Sequence, residues 1–353
     1  MMDKTDLQQF FLGANTGAGF ASLYEEFARP ETGAFLWYIK GGPGNGKSTL
    51  MRRAAERAES AGLAVEYLLC SGDPTSLDGI YIPEKKLGYV DATSPHVQEP
   101  PIPGASGKYL DLGGFYRAVP PEKTARLGGL YDAYRREYAR SYDLLRAAML
   151  VSPGGIPDLG IAEAEECVRA QALGFADKAL KAGADNSEQR RFLSAYTCLG
   201  PVLLSGTAAQ LGSVYTLDNE LGLADTFLRA VLEKARALGT RHIVCPDPLD
   251  PARLSALLLP ECGVSLVAVS GDFRFDGAVR RRFRLDAVPL TEAQRREVRR
   301  AGALRRSLTA YAVEALQKAK ALHDELETEY HPFVDFRALT RFEEKHLRKV
   351  FPE

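Results

Sequence analysis

The segment Gly41-Gly42-Pro43-Gly44-Asn45-Gly46-Lys47-Ser48, followed by Thr49, carries the most specific chemistry in this chain. It matches G-x-x-x-x-G-K-[ST] at each specified position. Glycines at this density let consecutive backbone N–H groups turn inward and approach phosphate oxygens. A helix starting near Lys47 directs its positive end at the same anion. Gly41 to Thr49 therefore read as a nucleotide cradle, with Lys47 on the β- and γ-phosphates and Ser48 as a ligand of Mg²⁺. The competing reading is a glycine-rich turn with a chance lysine. The flanks argue against it, because the apolar run Phe35-Leu36-Trp37-Tyr38-Ile39 precedes the segment and an amphipathic helix follows.

Mg²⁺ calls for a second anchor, usually an acid that ends a buried strand. Leu87-Gly88-Tyr89-Val90-Asp91 supplies Asp91; its plainer role is to cap a turn. Directly beyond lie Thr93 and His96, either of which would orient an attacking water or sense the γ-phosphate. The alternative is that Pro95 fixes a turn and His96 is merely exposed. The loop Ser71 to Gly79 offers Asp78 as a base for a kinase, whereas Asp73-Pro74 reads as turn chemistry.

An internal repeat organises the elements that hold these residues. At an offset of 177, Thr49, Arg52, Glu56, Ala58 and Gly62 recur as Thr226, Arg229, Glu233, Ala235 and Gly239. Asp73-Pro74, Leu77 and Pro83-Glu84 recur as Asp250-Pro251, Leu254 and Pro260-Glu261, and Tyr38 recurs as Tyr215. Phe11-Leu12 and Thr16 resemble Phe192-Leu193 and Thr197 at an offset of 181. Helical stripes (Leu127, Tyr131, Tyr134, Tyr138, Tyr142 and Leu304, Leu308, Tyr311, Ala315) step by three and four residues in both copies.

Each copy predicts an N-terminal segment, a strand (35–40), a helix (48–61) and strands at 65–70 and 87–91. A Pro/Gly-rich stretch (100–114) and a helical hairpin broken at Pro153-Gly154-Gly155 complete it. Alternating strands and helices imply an α/β protein with a parallel sheet. The expected division is 1–184 for an active half and 185–353 for a degenerate one, with a linker near 181–188. The offset sets Ala224, Asp225, Ala268 and Phe273 against Lys47, Ser48, Asp91 and His96, so the second half is not expected to bind nucleotide.

Between Arg280 and Arg306 ten arginines face three acids. An acidic partner or nucleic acid, an arginine delivered to the first half's γ-phosphate, and an ion-paired solvated helix face are the three readings. Phe283 is the one aromatic in that run, so nucleic acid is not favoured. The tyrosine stripe reads as helix packing rather than base stacking.

The 353 residues exceed what one core usually fills. A net charge of −1 gives no global attraction to nucleic acid or anionic lipid. Five cysteines without a C-x-x-C pair exclude a disulfide scaffold and a zinc ribbon. The opening residues carry no apolar signal core, and Pro260 and Glu261 break the most apolar stretch (254–269). A cytoplasmic chain without membrane contact is therefore expected.

Phe11-Leu12-Gly13-Ala14-Asn15-Thr16, the Gly41–Thr49 loop, Cys70-Ser71-Gly72-Asp73-Pro74-Thr75-Ser76-Leu77-Asp78-Gly79 and Val90-Asp91-Ala92-Thr93-Ser94-Pro95-His96 together resemble an uncharacterised, Firmicutes-type family of bacterial P-loop ATPases. The resemblance covers the whole chain and implies two tandem P-loop-like halves, with ATP bound through Lys47, Ser48 and Asp91. It implies no acceptor. Some members keep a phosphate loop in the second half; this chain departs from them there. The expectation is thus a Mg²⁺-dependent ATPase, with a γ-phosphoryl kinase or an ATP-gated binding module as alternatives, and with the acceptor or protein partner open. The chain lacks an Asn-Lys-x-Asp guanine signature.

Overall fold

The computed structural model describes residues 8–27, 32–93, 97–151, 156, 159, 161–184 and 186–352. The expected hairpin break at Pro153-Gly154-Gly155 lies outside them. The first half runs β1 (Gln8–Phe11), β2 (Gly13–Thr16), β3 (Gly19–Ser22), α1 (Tyr24–Phe27), β4 (Phe35–Lys40) and α2 (Lys47–Ser60). It continues with β5 (Glu66–Leu69), β6 (Leu77–Ile82), β7 (Leu87–Asp91), β8 (Gly107–Asp111), α3 (Pro121–Leu150) and α4 (Ile161–Ala179). The second half runs β9 (Glu188–Arg190), β10 (Ser194–Thr197), β11 (Gly200–Leu203), α5 (Ser205–Leu211), β12 (Ser213–Asp218) and α6 (Ala224–Ala237). It ends with β13 (His242–Pro246), β14 (Leu254–Leu259), β15 (Val264–Val269), β16 (Arg281–Phe283), α7 (Glu292–Tyr330) and α8 (Phe336–Val350).

Two six-stranded sheets have the orders β1-β5-β6-β7-β4-β8 and β9-β13-β14-β15-β12-β16, the same topology twice. The expected parallel sheet is corrected to a mixed one. β6 and β14 run antiparallel to both their neighbours, and the other pairings are parallel. The cause is local: Pro83-Glu84 and Pro260-Glu261 each open a one-turn 3₁₀ helix. Lys86 at φ 47° and Gly263 at φ 61° then turn the chain straight back. The Pro/Gly-rich stretch also contains an unforeseen strand, β8, which pairs with β4.

Sheet register revises one detail of the repeat. Phe35 pairs with Leu87, and Ser213 with Val264, so β4 and β12 correspond at an offset of 178. Tyr38 is thus matched by Thr216, and Trp37 by Tyr215. The helices α2 and α6 begin at Lys47 and Ala224, back at 177. The connection between strand and helix is therefore six residues (41–46) in the first half and five (219–223) in the second.

A third sheet, β11-β10-β2-β3, joins the halves. Phe11 N–H donates to Phe192 C=O and Phe192 N–H donates to Phe11 C=O, both at 2.9 Å. Such reciprocity is the mark of pseudo-two-fold symmetry, here within one chain. Thr16 and Thr197 make the same hydroxyl bonds in the two hairpins, to Gly19 and Gly200 C=O at 2.7 and 2.8 Å. Across the joint, the buried Arg191 guanidinium binds the buried Glu66 carboxylate through Nε and Nη2.

The expected helical hairpins are corrected as well. α3 packs antiparallel along α7, tied by Lys123–Glu329 (2.7 Å) and Arg126–Glu325 (2.8 Å). α4 lies on the second sheet's α6, with Phe175 ring-packed on Tyr215 and Phe227. α8 lies on the first sheet, where His346 meets Trp37 at 4.6 Å and Tyr89 hydroxyl at 3.0 Å. Helices thus cross the expected boundary at 184/185 in both directions. Each long helix packs its stripe on its counterpart, and each shorter successor covers the other half's sheet, so that both sheets and both stripes leave water. A capping box between Thr291 and Gln294 starts the 39-residue α7. Among the described residues, no helix is long and apolar enough to cross a membrane.

Candidate functional site

The carboxyl ends of β4, β5, β7 and β8 and the start of β6 gather at one edge of the first sheet, and the 41–46 loop lies there. Loop shape follows from its glycines. A Cβ on Gly41 would sit 1.9 Å from Asn45 Nδ2, and Gly46, at φ 84°, forms the N-cap of α2. The Asn45 side chain is 1% exposed, and its amide atoms have no partner among the described residues. Tyr116 hydroxyl donates to Pro43 C=O at 2.5 Å and pins the loop from the β8 side.

Lys47 Nζ folds back onto Gly41 C=O (3.0 Å) and Gly42 C=O (2.8 Å) and lies 3.7 Å from Asp91 Oδ2. The pairing of Ile39 with Asp91 puts that acid beside the loop. Thr93 gives both its N–H and its hydroxyl to Asp91 Oδ1. Ser48 Oγ accepts Leu77 N–H at 3.1 Å and retains a second lone pair. A hydroxyl and a carboxylate beside a lysine form an all-oxygen donor set that suits Mg²⁺. His96 lies outside the described residues.

Asp78 is 4% exposed and forms part of the cleft floor. Its carboxylate faces the Tyr24 hydroxyl and the Cys70 thiol. Burial first, and then this charge, push both groups well above their ordinary pKa. Cys70 is therefore held as a thiol. Asp73 forms the expected turn, accepting Thr75 N–H at 3.0 Å, and also meets Lys320 Nζ at 3.4 Å.

Lys320 belongs to α7 of the second half, and this contribution is what residue spacing could not reveal. α7 and the turn after it roof a cleft of about 730 Å³ over the loop. Glu327 Oε1 accepts Gly44 N–H at 3.2 Å and lies 3.8 Å from His323 Nδ1. Lys320 pairs with Asp324 at 2.5 Å. Burial holds His323 below its ordinary pKa; Glu327 opposes this shift and the Lys47 charge adds to it. Tyr131, Tyr134 and Tyr138 of α3 form a further wall. The tyrosine stripe thus packs and also lines the cleft. Burial raises the Tyr134 hydroxyl to about 12, so it stays protonated.

The equivalent edge of the second sheet is filled. Its cavity is about 20 Å³, enough for a water molecule, between Asn219, Asp247, Ser255, Ala268 and Phe273. Asp286 takes the N–H groups of Glu220 (2.8 Å) and Leu221 (3.0 Å) in the shortened loop. Asp225 accepts Leu254 N–H at 2.8 Å, repeating the structural part of Ser48's role. The arginine-rich run lies on this half, with Arg282 on Asp218 (2.6 Å) and Arg305 on Glu220 (3.1 Å). None of its arginines lines the first half's cleft. Comparison with family models, with curated protein sequences and with solved structures finds no match to this chain.

Proposed function

We propose that the protein is a P-loop nucleoside triphosphatase that binds Mg²⁺·ATP on Gly41–Thr49 and transfers the γ-phosphoryl group to water. The observation that carries this reading is the strand–loop–helix at the carboxyl edge of the sheet, with Lys47 3.7 Å from the strand-terminal Asp91. Phosphate oxygens would replace the carbonyls that Lys47 now contacts, and Lys47 would follow the charge that spreads onto the γ-phosphoryl oxygens. Ser48 and Asp91 would hold Mg²⁺, which when bound neutralises the β- and γ-oxygens. The roof formed by α3 and α7 would exclude bulk water and so strengthen each of these interactions.

The second half would serve as scaffold. Its loop is one residue shorter, Asp286 already holds its N–H groups, and its cavity is about 20 Å³ against 730 Å³. A kinase remains the second reading, favoured by the extension of the cleft from the loop to the tyrosine wall, which leaves space for an acceptor. Calorimetric titration with ATP and with GTP, with and without Mg²⁺, tests the binding step. The expected result is one Mg²⁺-dependent site per chain, lost in Lys47→Ala. Equal binding by the variant would remove the loop from the account.

A further inference from the structure

We propose that His323 of α7, backed by Glu327, is the general base of the first-half site, so that the second half supplies the residue that takes the proton from the attacking water. The inference rests on the nucleotide-binding reading above. Two residues that the sequence singles out, Thr93 to orient the water and Asp78 as a kinase base, have other neighbours. Thr93 gives its hydroxyl to Asp91, and Asp78 is buried against Tyr24 and Cys70.

His323 and Glu327 are one helical turn apart and both line the cleft over the loop. Glu327 divides its carboxylate between two neighbours, Gly44 N–H at 3.2 Å and His323 Nδ1 at 3.8 Å. Gly44 N–H is one of the loop donors that a phosphate oxygen would claim. Nucleotide entry therefore takes away the carboxylate's backbone partner and leaves it to His323. A proton held on Nδ1 by Glu327 leaves Nε2 as the acceptor, the division of labour of a carboxylate–imidazole pair. Such pairs tighten when the substrate is bound.

The step balances. The water oxygen bonds to Pγ, and the bond from Pγ to the β,γ-bridging oxygen breaks with its electron pair remaining on the nucleoside diphosphate. The water proton passes to Nε2, the imidazolium is held by Glu327, and the proton is later released to solvent. The charged groups facing His323 are Lys47, Lys320, Asp324 and Glu327, and the Tyr134 ring lies 5.8 Å away. Burial keeps the imidazole neutral near pH 7.

The test is His323→Gln beside His323→Asn and Glu327→Gln, with Mg²⁺·ATP affinity and single-turnover rate measured from about pH 4.5 to 8.5, two units either side of the ordinary histidine pKa. A general base predicts a loss of about 10²- to 10⁴-fold in rate with affinity retained, and disappearance of the acid limb of the rate profile in the histidine variants. Glu327→Gln should keep the limb but move it to lower pH, because a carboxylate that raises the imidazole's proton affinity is gone. Retained affinity also establishes that a variant is folded. A histidine variant that binds nucleotide and keeps both rate and acid limb overturns the assignment of the base. Failure of the wild-type protein to bind Mg²⁺·ATP overturns instead the phosphate-loop reading on which it rests.

Discussion

Arg191→Met would remove the charge that joins the two halves. Arg191 is 4% exposed and Glu66 7%, and the guanidinium also donates to Arg190 C=O at 2.9 Å and lies over the Phe27 ring at 4.9 Å. Methionine preserves much of the side chain's bulk, so the main loss is electrostatic: a buried carboxylate on β5 is left without its partner. Removing one member of such a pair costs about 3–5 kcal/mol, whereas replacing both by apolar residues is often neutral or stabilising. Domains are stable by about 5–15 kcal/mol, so the single variant should lose a large part of its stability. Arg191→Met with Glu66→Leu should return to within about 1 kcal/mol of the wild type or exceed it. Urea unfolding is the assay. The single tryptophan, Trp37 under α8, reports on the first half, and circular dichroism reports on both. Because the sheet β11-β10-β2-β3 and the crossed helices join the halves, the two probes should give coincident transitions. A single variant within about 1 kcal/mol of wild type, or a double variant no better than the single, would refute the reasoning.

Grafting Ala224→Lys with Asp225→Ser into the second half should leave titration stoichiometry at one nucleotide per chain, since the loop remains short and Asp286 still occupies its N–H groups. His346 couples stability to pH. Burial, with Lys349 adding to it, lowers its pKa to about 4. The unfolded chain, with an ordinary histidine pKa near 6.5, therefore takes up the proton first. Its contribution is fully present above pH 6.5 and is lost as pH falls from there towards about 4; urea midpoints at pH 7 and 5 should show a smaller drop in His346→Gln.

The duplication was legible because turn and packing residues survive in both copies for structural reasons. Arg52 donates to Thr75 C=O and Arg229 to Ala252 C=O. Leu77 N–H finds Ser48, and Leu254 N–H finds Asp225. The juxtaposition of the loop, Lys47, Ser48 and Asp91 was legible because the loop is written in consecutive residues after one strand and Asp91 ends the strand that pairs beside it. β6 was missed because its four-residue hairpin return looks like a loop until Lys86 and Gly263 turn the chain. The crossing of α4 and α8 was hidden because helices with similar apolar stripes can exchange partners without any change in periodicity. His323, Lys320 and Glu327 stand more than 270 residues from the loop they roof, and only the pseudo-two-fold packing of α3 on α7 brings them there.

Phosphate release from ATP in the presence of Mg²⁺, wild type beside Lys47→Ala, tests the central claim most directly. The account predicts turnover by the wild type and a loss of at least about 10²-fold in the variant, the scale on which a single group that stabilises transition-state charge acts. Release that is unchanged by Lys47→Ala, or a wild-type protein that neither binds nor cleaves ATP, would contradict it.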